Sequence, residues 1–443
     1  WVTKVTDQGN CGSCWAFATI ASLESSLLPG ESWDFSENNI KNTLAYTYTD
    51  GFDRTWDEGG NRWFSTAYLT RWSGPILESD DPYNDISGTS PSGLYTYKHV
   101  QNVYFLPERA TSTDNDNIKN ALTNVGAVQA SIYYNNSYYS SAHAAFYNDG
   151  SLIGLDPKQT STTKTNHAIT IVGWDDSYSS ANFADTPGGN GAFIVKNSWG
   201  TGWGDSGYFY ISYYDLTIGN LCAVFTGAPV TNYDRIYSYD PLGWISIYYF
   251  TGDSTVVQYA NVYTAQSAES LNAIGLYAYA PGSYTARIYL DPSSGPINTT
   301  GYVAETTWTS SNLGYQTVAV PDVGLRTGQK YSIVINATTT SGNYATFNVE
   351  EPITSYSSHA TANAGESYIS PDGTDWTDLT TEITNANVCL KGYTTLQSKV
   401  GFYRPSNGMY SLDYNGDYAW EPSLDKLFYW GPGSDTPIVG DWS

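Results

Sequence analysis

Basic residues are scarce: 19 Lys and Arg stand against 43 Asp and Glu, a formal net charge of −24 over 443 residues. A balance of that sign denies the chain a basic face for nucleic acid or for an anionic membrane. No apolar run approaches the roughly 18–20 residues that a membrane-spanning helix requires. Cysteine is limited to four positions and histidine to four, and no Cys/His spacing suits a structural zinc. So few cysteines leave the redox compartment open. Aromatic residues are plentiful, at 16% with 40 tyrosines, and the length suffices for two or three domains with their own cores.

The four cysteines do not read alike. Cys14 lies in Gln8-Gly9-Asn10-Cys11-Gly12-Ser13-Cys14-Trp15-Ala16-Phe17, where small residues precede an apolar helical run. A thiol at the start of a helix faces unpaired backbone N–H groups and the positive end of the helix dipole, and both favour thiolate. A free thiol, with a pKa near 8.5, would be only about 0.3% ionised at pH 6, so a nearby imidazolium is needed to activate it.

Of the four histidines, His167 has the fitting context. It opens His167-Ala168-Ile169-Thr170-Ile171-Val172, a β-branched run that predicts a buried strand. Downstream, Ala192-Phe193-Ile194-Val195-Lys196 ends in Asn197, followed by Ser198-Trp199-Gly200-Thr201-Gly202-Trp203-Gly204. An asparagine carbonyl accepts the proton of one imidazole nitrogen and leaves the other aimed at sulfur. His99, His143 and His359 have no comparable partners in sequence and read as structural.

With these segments in order, residues 1–226 resemble a papain-family cysteine peptidase. The matching pieces are Gln8 with Cys14, the Glu58-Gly59-Gly60-Asn61 turn, Asn166-His167-Ala168, and Asn197 through Gly204, with fainter echoes at Asp81-Pro82-Tyr83 and Val125-Gly126-Ala127-Val128. The resemblance implies an α+β two-lobed peptidase domain. It implies Cys14 as nucleophile, His167 as general base and acid, Asn197 as the residue orienting the imidazole, and Gln8 as an oxyanion donor. It places Gly12, Gly59, Gly60, Asn166 and Trp199 in contact with an extended polypeptide substrate. Gly59 and Gly60 would pair with the substrate backbone, and Trp199 would shield the Asn197–His167 bond and border the leaving-group side. The pocket for the residue two before the scissile bond would fall near Asn61, Arg62 and Trp63. The resemblance implies no cofactor for catalysis.

The chain also departs from that family. The cysteine that usually pairs with the first cysteine of the motif is replaced by Asp57, so Cys11 lacks its usual partner. With Cys14 reserved for chemistry, at least one of Cys11, Cys222 and Cys389 is unpaired within the chain, and a bridge between Cys222 and Cys389 stays open. The His167-to-Asn197 interval is longer than usual. The extra residues, roughly 175–190, read as a polar surface loop that either lines the cleft, binds an ion through Asp175, Asp176 and Asp185, or does neither.

Past residue 226, short alternating runs such as Ala286-Arg287-Ile288-Tyr289-Leu290 and Tyr331-Ser332-Ile333-Val334-Ile335 predict an all-β sandwich over residues 227–396. Asn232-Tyr233-Asp234-Arg235-Ile236-Tyr237, followed by Asp240-Pro241-Leu242-Gly243, resembles the lectin-like domain that follows the peptidase in clostridial cell-wall cysteine proteases that mature surface-layer protein. That resemblance implies a possible calcium ion, and a cell-envelope protein or glycan as partner, against a plain spacer. Residues 397–443, with Gly401-Phe402-Tyr403-Arg404 and Gly440-Asp441-Trp442, resemble part of an FG-GAP/VCBS-like surface repeat, which cannot bury a core alone.

The chain opens at Trp1 without Met or leader and reads as a processed or trimmed product. Together these readings predict an extracellular or cell-surface cysteine endopeptidase working through an acyl-thioester at Cys14. Two other readings stay open: a cell-envelope adhesin or glycan-binding protein built on a papain-like scaffold, and a transpeptidase or isopeptidase that resolves the thioester with an amine.

Overall fold

A computed structural model describes residues 1–151, 165–250, 255–339 and 345–397, with the short pieces 401–404, 406, 409–412 and 426–429. The apolar run after Ser13 forms helix α1 (Cys14–Leu27), buried from Trp15 to Ser25. A helix covered on every face belongs at the centre of its lobe. Around it stand α2 (Glu37–Thr43) and α3 (Arg62–Thr70), while α4 (Asp116–Asn124) buries Ile118 and Ala121 in the core of the second lobe. Asn61 starts α3: its side-chain oxygen accepts from the backbone N–H groups of Trp63 and Phe64, the preferred use of Asn at a helix N-terminus.

The second lobe is built from β1 (His99–Phe105), β2 (Val128–Ile132), β3 (Tyr139–Ser140), β4 (Ala145–Phe146), β5 (His167–Asp175), β6 (Ala192–Lys196), β7 (Tyr208–Ser212) and β8 (Asn220–Ala228). Antiparallel pairing sets Ile132 opposite His167, and Thr170 opposite Lys196. The last residues before Asn197 therefore run beside the first residues of β5.

Beyond β8 come β9 (Arg235–Tyr237), β10 (Ser246–Tyr248), β11 (Val256–Thr264), β12 (Glu269–Ala278), β13 (Gly282–Leu290), β14 (Ala304–Ser310), β15 (Leu313–Leu325), β16 (Lys330–Thr339) and β17 (Phe347–Glu350). They are followed by β18 (Ser367–Ser370), β19 (Thr377–Asp378), the one-turn helix α5 (Leu379–Glu382), β20 (Asn387–Val388) and β21 (Leu390–Leu396). The β14-β13-β16-β11-β18-β19 sheet packs against β12, β15 and β21 over a core that includes Leu271, Ile274, Leu276, Ile288, Ile333 and Ile335. The expected papain-like α+β domain followed by a β sandwich is what the chain forms.

The two regions share a sheet. β1 pairs with β8 on one edge and with β15 on the other, with Val103 opposite Tyr315 and Phe105 opposite Leu313. One twelve-stranded sheet, β3-β4-β7-β6-β5-β2-β8-β1-β15-β12-β21-β9, thus runs through both. Nothing in the strand patterns announces this, because β1 and β15 are more than 200 residues apart. The Asp240-Pro241-Leu242-Gly243 segment serves this joint. Asp240 forms a fully buried ion pair with Lys391 at 2.6 Å, and the Pro241 carbonyl accepts from Arg71 of the peptidase lobe at 2.7 Å.

All four cysteines are free, and Cys11, Cys222 and Cys389 are buried. Where the family's disulfide would close the 57–60 turn, a buried arginine does so. Arg54 donates from Nε to Gly59 O (2.9 Å), from Nη1 to Lys41 O (2.9 Å), and from Nη2 to Trp56 O (3.2 Å) and Glu58 O. Its guanidinium also lies over the Trp15 ring, 5.1 Å from the centroid. Among the described residues of the expected 397–443 repeat, β22 (Gly401–Arg404), β23 (Met409–Leu412) and β24 (Lys426–Tyr429) pair antiparallel. The Gly440-Asp441-Trp442 part of that expectation lies outside the described residues.

Arg54→Ala removes the guanidinium donor from four backbone carbonyls and is expected to cost about 3 kcal/mol of peptidase-domain stability. Arg54→Lys, lacking the planar fork, recovers less than half of that loss. Denaturant midpoints of the three proteins check this; an unshifted midpoint for Arg54→Ala contradicts the staple role.

Candidate active site

Cys14 sits at the first position of α1, half-buried, where the backbone N–H groups of the opening turn face its sulfur. The Ala168 N–H, one residue into β5, donates to Cys14 Sγ at 3.3 Å. This contact brings the helix start and the strand start together across 154 residues of chain. His167, 7% exposed, therefore flanks the sulfur.

His167 Nε2 lies 2.9 Å from Asn197 Oδ1. That oxygen also accepts from the Ser198 N–H at 2.9 Å, which identifies it as the oxygen end of the amide. Nε2 must then carry a hydrogen and Nδ1 is left for the sulfur. Trp199 stacks on the imidazole with centroids 4.6 Å apart and an interplanar angle of 24°. Trp203 and Tyr134 meet Trp199 edge-on at 4.9 and 4.8 Å. These rings keep water from the imidazole–amide bond, and Asn197 itself is only 3% exposed.

Burial acts on the two reacting groups in opposite directions. It pushes the Cys14 thiol up, opposed by the backbone N–H groups of Ala168, Trp15 and Cys14. It pulls the His167 imidazole down to about 4, opposed by the Asn197 hydrogen bond. Taken singly, each group is held neutral. Moving the Cys14 proton to His167 Nδ1 creates both charges side by side, and their attraction offsets the burial of each. An ion pair of the kind expected from the sequence would stand on that mutual attraction more than on the helix end alone.

Gln8 is locked on three sides. Its Nε2 donates to Cys11 O at 2.8 Å, its Oε1 accepts from Ser198 Oγ at 2.6 Å, and its backbone N–H donates to Ser198 O at 2.8 Å. The second Nε2 hydrogen is the one the expected oxyanion role would use. Ser198 is a positioning residue the sequence reading passed over; its place directly after Asn197 was the available signal. The Asp81-Pro82-Tyr83 echo supports the same corner: Tyr83 Oη donates to Gln8 O at 2.8 Å, and the Asp81 carboxylate accepts from Asn38 and Asn39.

A cleft of about 310 Å³ opens over the sulfur, with Gly59, Gly60 and Asn61 on one wall and Asn166, His167 and Ala168 on the other. Phe64, Ser131 and Thr165 also line it, and sequence reasoning did not single them out. A Cβ on Gly59 would meet nothing within 4 Å, whereas one on Gly60 would lie 2.4 Å from the Trp15 ring. Gly60 is thus fixed by packing, and Gly59 leaves room for another backbone. Asn166 pairs with Tyr134 through both ends of its amide, at 2.7 and 3.0 Å. The Gly12 N–H donates to Asp57 O at 3.0 Å, where a Cβ would approach the same oxygen to 2.4 Å. It seats the 57–60 turn on the start of α1.

Two readings the sequence left open concern the surroundings of the cleft. The 175–190 insertion does not line the cleft: Asp176 pairs with Lys119 at 2.6 Å, Asp175 caps Ser177, and Phe183 is buried with Ala145 and Ala192. Arg62 does not line it either; its Nη1 donates to Cys222 O, with the guanidinium over Phe105 and Trp63. Among the described residues, no group of three or more His, Cys, Asp or Glu side chains is placed to hold a metal ion, and no helix is long and apolar enough to cross a membrane.

Comparison with known proteins agrees with this geometry. Residues 1–228 match the papain family cysteine protease model, and residues 236–394 match the lectin-like domain model. A crystal structure of the cysteine protease and lectin-like domains of Cwp84, a surface layer associated protein of Clostridium difficile, superposes with a TM-score of 0.76 at 27% identity, covering 89% of this chain and 86% of that one. Cwp84 after propeptide cleavage gives 0.77 at 26% identity, covering 89% and 97%. The cathepsin L-like proteinase of Fasciola hepatica is 29% identical over 227 residues, 51% of this chain and 60% of that protein. Gamete and mating-type specific protein A of Dictyostelium discoideum is 30% identical over 219 residues, 47% and 40%. The chain thus spans about half the length of these curated relatives. The surface repeat expected over 397–443 lies beyond both matched regions and gains no support from them. With a buried imidazole–asparagine pair set against a thiol at a helix start, and a family model spanning residues 1–228, the chain belongs to the papain family of cysteine proteases and carries a lectin-like domain after the peptidase.

Proposed function

We propose that the chain is an endopeptidase that hydrolyses extended polypeptide segments through an acyl-thioester on Cys14. The observation that carries this reading is the Cys14–Ala168 contact beside the His167–Asn197 bond, at the floor of a cleft walled by Gly59 and Gly60. The substrate backbone lies along Gly59–Gly60 on its acyl side, and the leaving-group side borders Trp199. Cys14 Sγ, its proton passed to His167 Nδ1, attacks the scissile carbonyl carbon. The oxyanion receives N–H groups from the Cys14 backbone and from Gln8 Nε2. As the C–N bond breaks, His167 gives that proton to the departing amine. Water then enters, His167 takes one of its protons, and hydroxide attack on the thioester releases the acid and returns the thiol.

The surface-layer association of Cwp84 supports an extracellular or cell-surface setting for this chain, with cell-envelope proteins as substrates. The net charge of −24 is compatible with such a setting.

Cys14→Ala is expected to stay folded and to lose more than about 10⁴-fold in kcat/KM, and Gln8→Ala about 10²–10³-fold. Peptide turnover by the purified variants checks both; parental turnover by Cys14→Ala would refute the reading. The pH profile gives an independent test. Because burial holds His167 near 4, the step at which the doubly protonated pair loses its first proton lies low, and kcat/KM rises through an acid limb near pH 4. It falls again on the alkaline side when the second proton leaves. An acid limb at the ordinary imidazole value of about 6.5 would contradict the burial account.

A further inference from the structure

A second groove, of about 630 Å³, lies against the catalytic cleft and is lined by both domains. On the peptidase side it is bounded by Trp63, in the first turn of α3. On the lectin-like side it is bounded by Trp244, Tyr356 and strand β10. The cleft and the groove share a wall. Asn61 and Phe64 line the cleft, Asn61 Nδ2 donates to Tyr356 Oη at 3.4 Å, and the Phe64 and Tyr356 rings lie 5.3 Å apart. Trp63, two residues on from Asn61, meets Trp244 edge-on at 6.3 Å, which sets the groove beside the Asn61 wall of the cleft.

β10 gives this groove a chemical preference. It occupies the edge of the β10-β17-β20 sheet, pairing with β17 on one side, and among the described residues no strand pairs with its other side. Its residues Ser246, Ile247 and Tyr248 are half-buried in the groove wall, and Tyr248 Oη is held by both Glu351 oxygens at 3.0 Å. Sheet edges are normally blunted by shortness, charge, proline or a bulge; β10 is only three residues long, but Ser-Ile-Tyr carries no charge and no proline. Such an edge presents a short row of backbone donors and acceptors at the repeat of an extended polypeptide, which is the chemistry of strand addition. A sugar would find the aromatic rings but would leave that row unmatched.

We propose that β10 of the lectin-like domain extends the substrate cleft, taking the stretch of substrate upstream of the scissile bond as an added strand and favouring apolar side chains against Trp63, Trp244 and Ile247. The proposal rests on the endopeptidase reading above. At about 3.3 Å per residue, a substrate needs several residues beyond those paired with Gly59–Gly60 to reach β10. Specificity is then a property of the two domains together.

The test uses two fluorogenic peptides identical around the scissile bond, one with two residues upstream and one with eight. The parent is expected to cleave the longer with a kcat/KM at least tenfold higher. Ile247→Lys, which puts a charge on the edge, is expected to reduce that advantage to within twofold and to leave the short peptide unchanged. N-methylation of the distal upstream amides of the long peptide should have the same effect on the parent, with no change to the protein. Binding of both peptides to Cys14→Ala, followed by fluorescence anisotropy, reads the groove without turnover. A parent that cleaves neither peptide overturns the endopeptidase reading, and the length dependence of binding then still decides the groove. Equal affinities and equal kcat/KM for the two peptides overturn the proposal, as does a length advantage that survives Ile247→Lys. Oligosaccharide binding that Ile247→Lys abolishes, with the length advantage intact, assigns the groove to glycan and overturns it too.

Discussion

The bond between His167 Nε2 and Asn197 Oδ1 decides which imidazole nitrogen remains for the sulfur, and a large part of the peptidase half is arranged to hold it. It requires β5 and β6 to pair in one register: Thr170 opposite Lys196 leaves Asn197 beside the start of β5, and a slip of one residue would turn it to the other face of the sheet. The chain then closes over this corner from outside. Thr6 and Gln8 accept and donate backbone hydrogen bonds with Gly200 and Ser198, and Trp199 covers the imidazole. Gln8 is thereby placed by the same strand end that places Asn197. The Asn197 and Gln8 side-chain amides are two outputs of one local structure.

Keeping that bond dry has a consequence for the chemistry. The burial that protects the imidazole–amide contact also disfavours charge on both reacting groups, raising the thiol and lowering the imidazole. A site with the same residues open to water would ionise each group more readily but would lose the fixed orientation. Here the cost of charge is met locally, by the backbone N–H groups on the sulfur and by the opposite charge beside it.

Much of this was legible in the sequence because catalysis constrains side-chain identity at fixed places along the chain. Cys14, His167 and Asn197 each sit at or next to the end of an element whose apolar pattern is plain, so their meeting could be anticipated, while Gln8 lies in the irregular segment before α1. What escaped was support supplied by distant or unmarked residues. Arg54 replaces a missing disulfide by binding four carbonyls, and a carbonyl leaves no trace in sequence. Gly12 carried a family expectation of substrate contact, and the space its missing side chain leaves is filled by the Asp57 carbonyl. The insertion after Asp175 reads as polar, and so it is, but its aspartates are spent on Lys119, Tyr213 and a turn.

The junction between β1 and β15 was illegible for a related reason: an edge strand and a central strand have the same alternation, and only pairing tells them apart. Its effect is mechanical. A lectin-like domain hung on a linker would meet the cleft in many orientations and could not contribute a defined wall. This one is joined by a shared sheet, by Arg71 on Pro241, and by Asp53 on Ser358, so Tyr356 and Trp244 hold fixed positions beside Asn61 and Trp63. The buried Lys391–Asp240 pair reinforces that geometry, since burial raises the Asp240 carboxyl and Lys391 opposes the shift. Two opposite charges so deeply enclosed add little net stability compared with an apolar pair, but they tolerate few alternative arrangements. A fixed second domain at the rim of a peptide cleft changes what the cleft can distinguish, because discrimination then reaches past the two glycines to residues the peptidase lobe does not own.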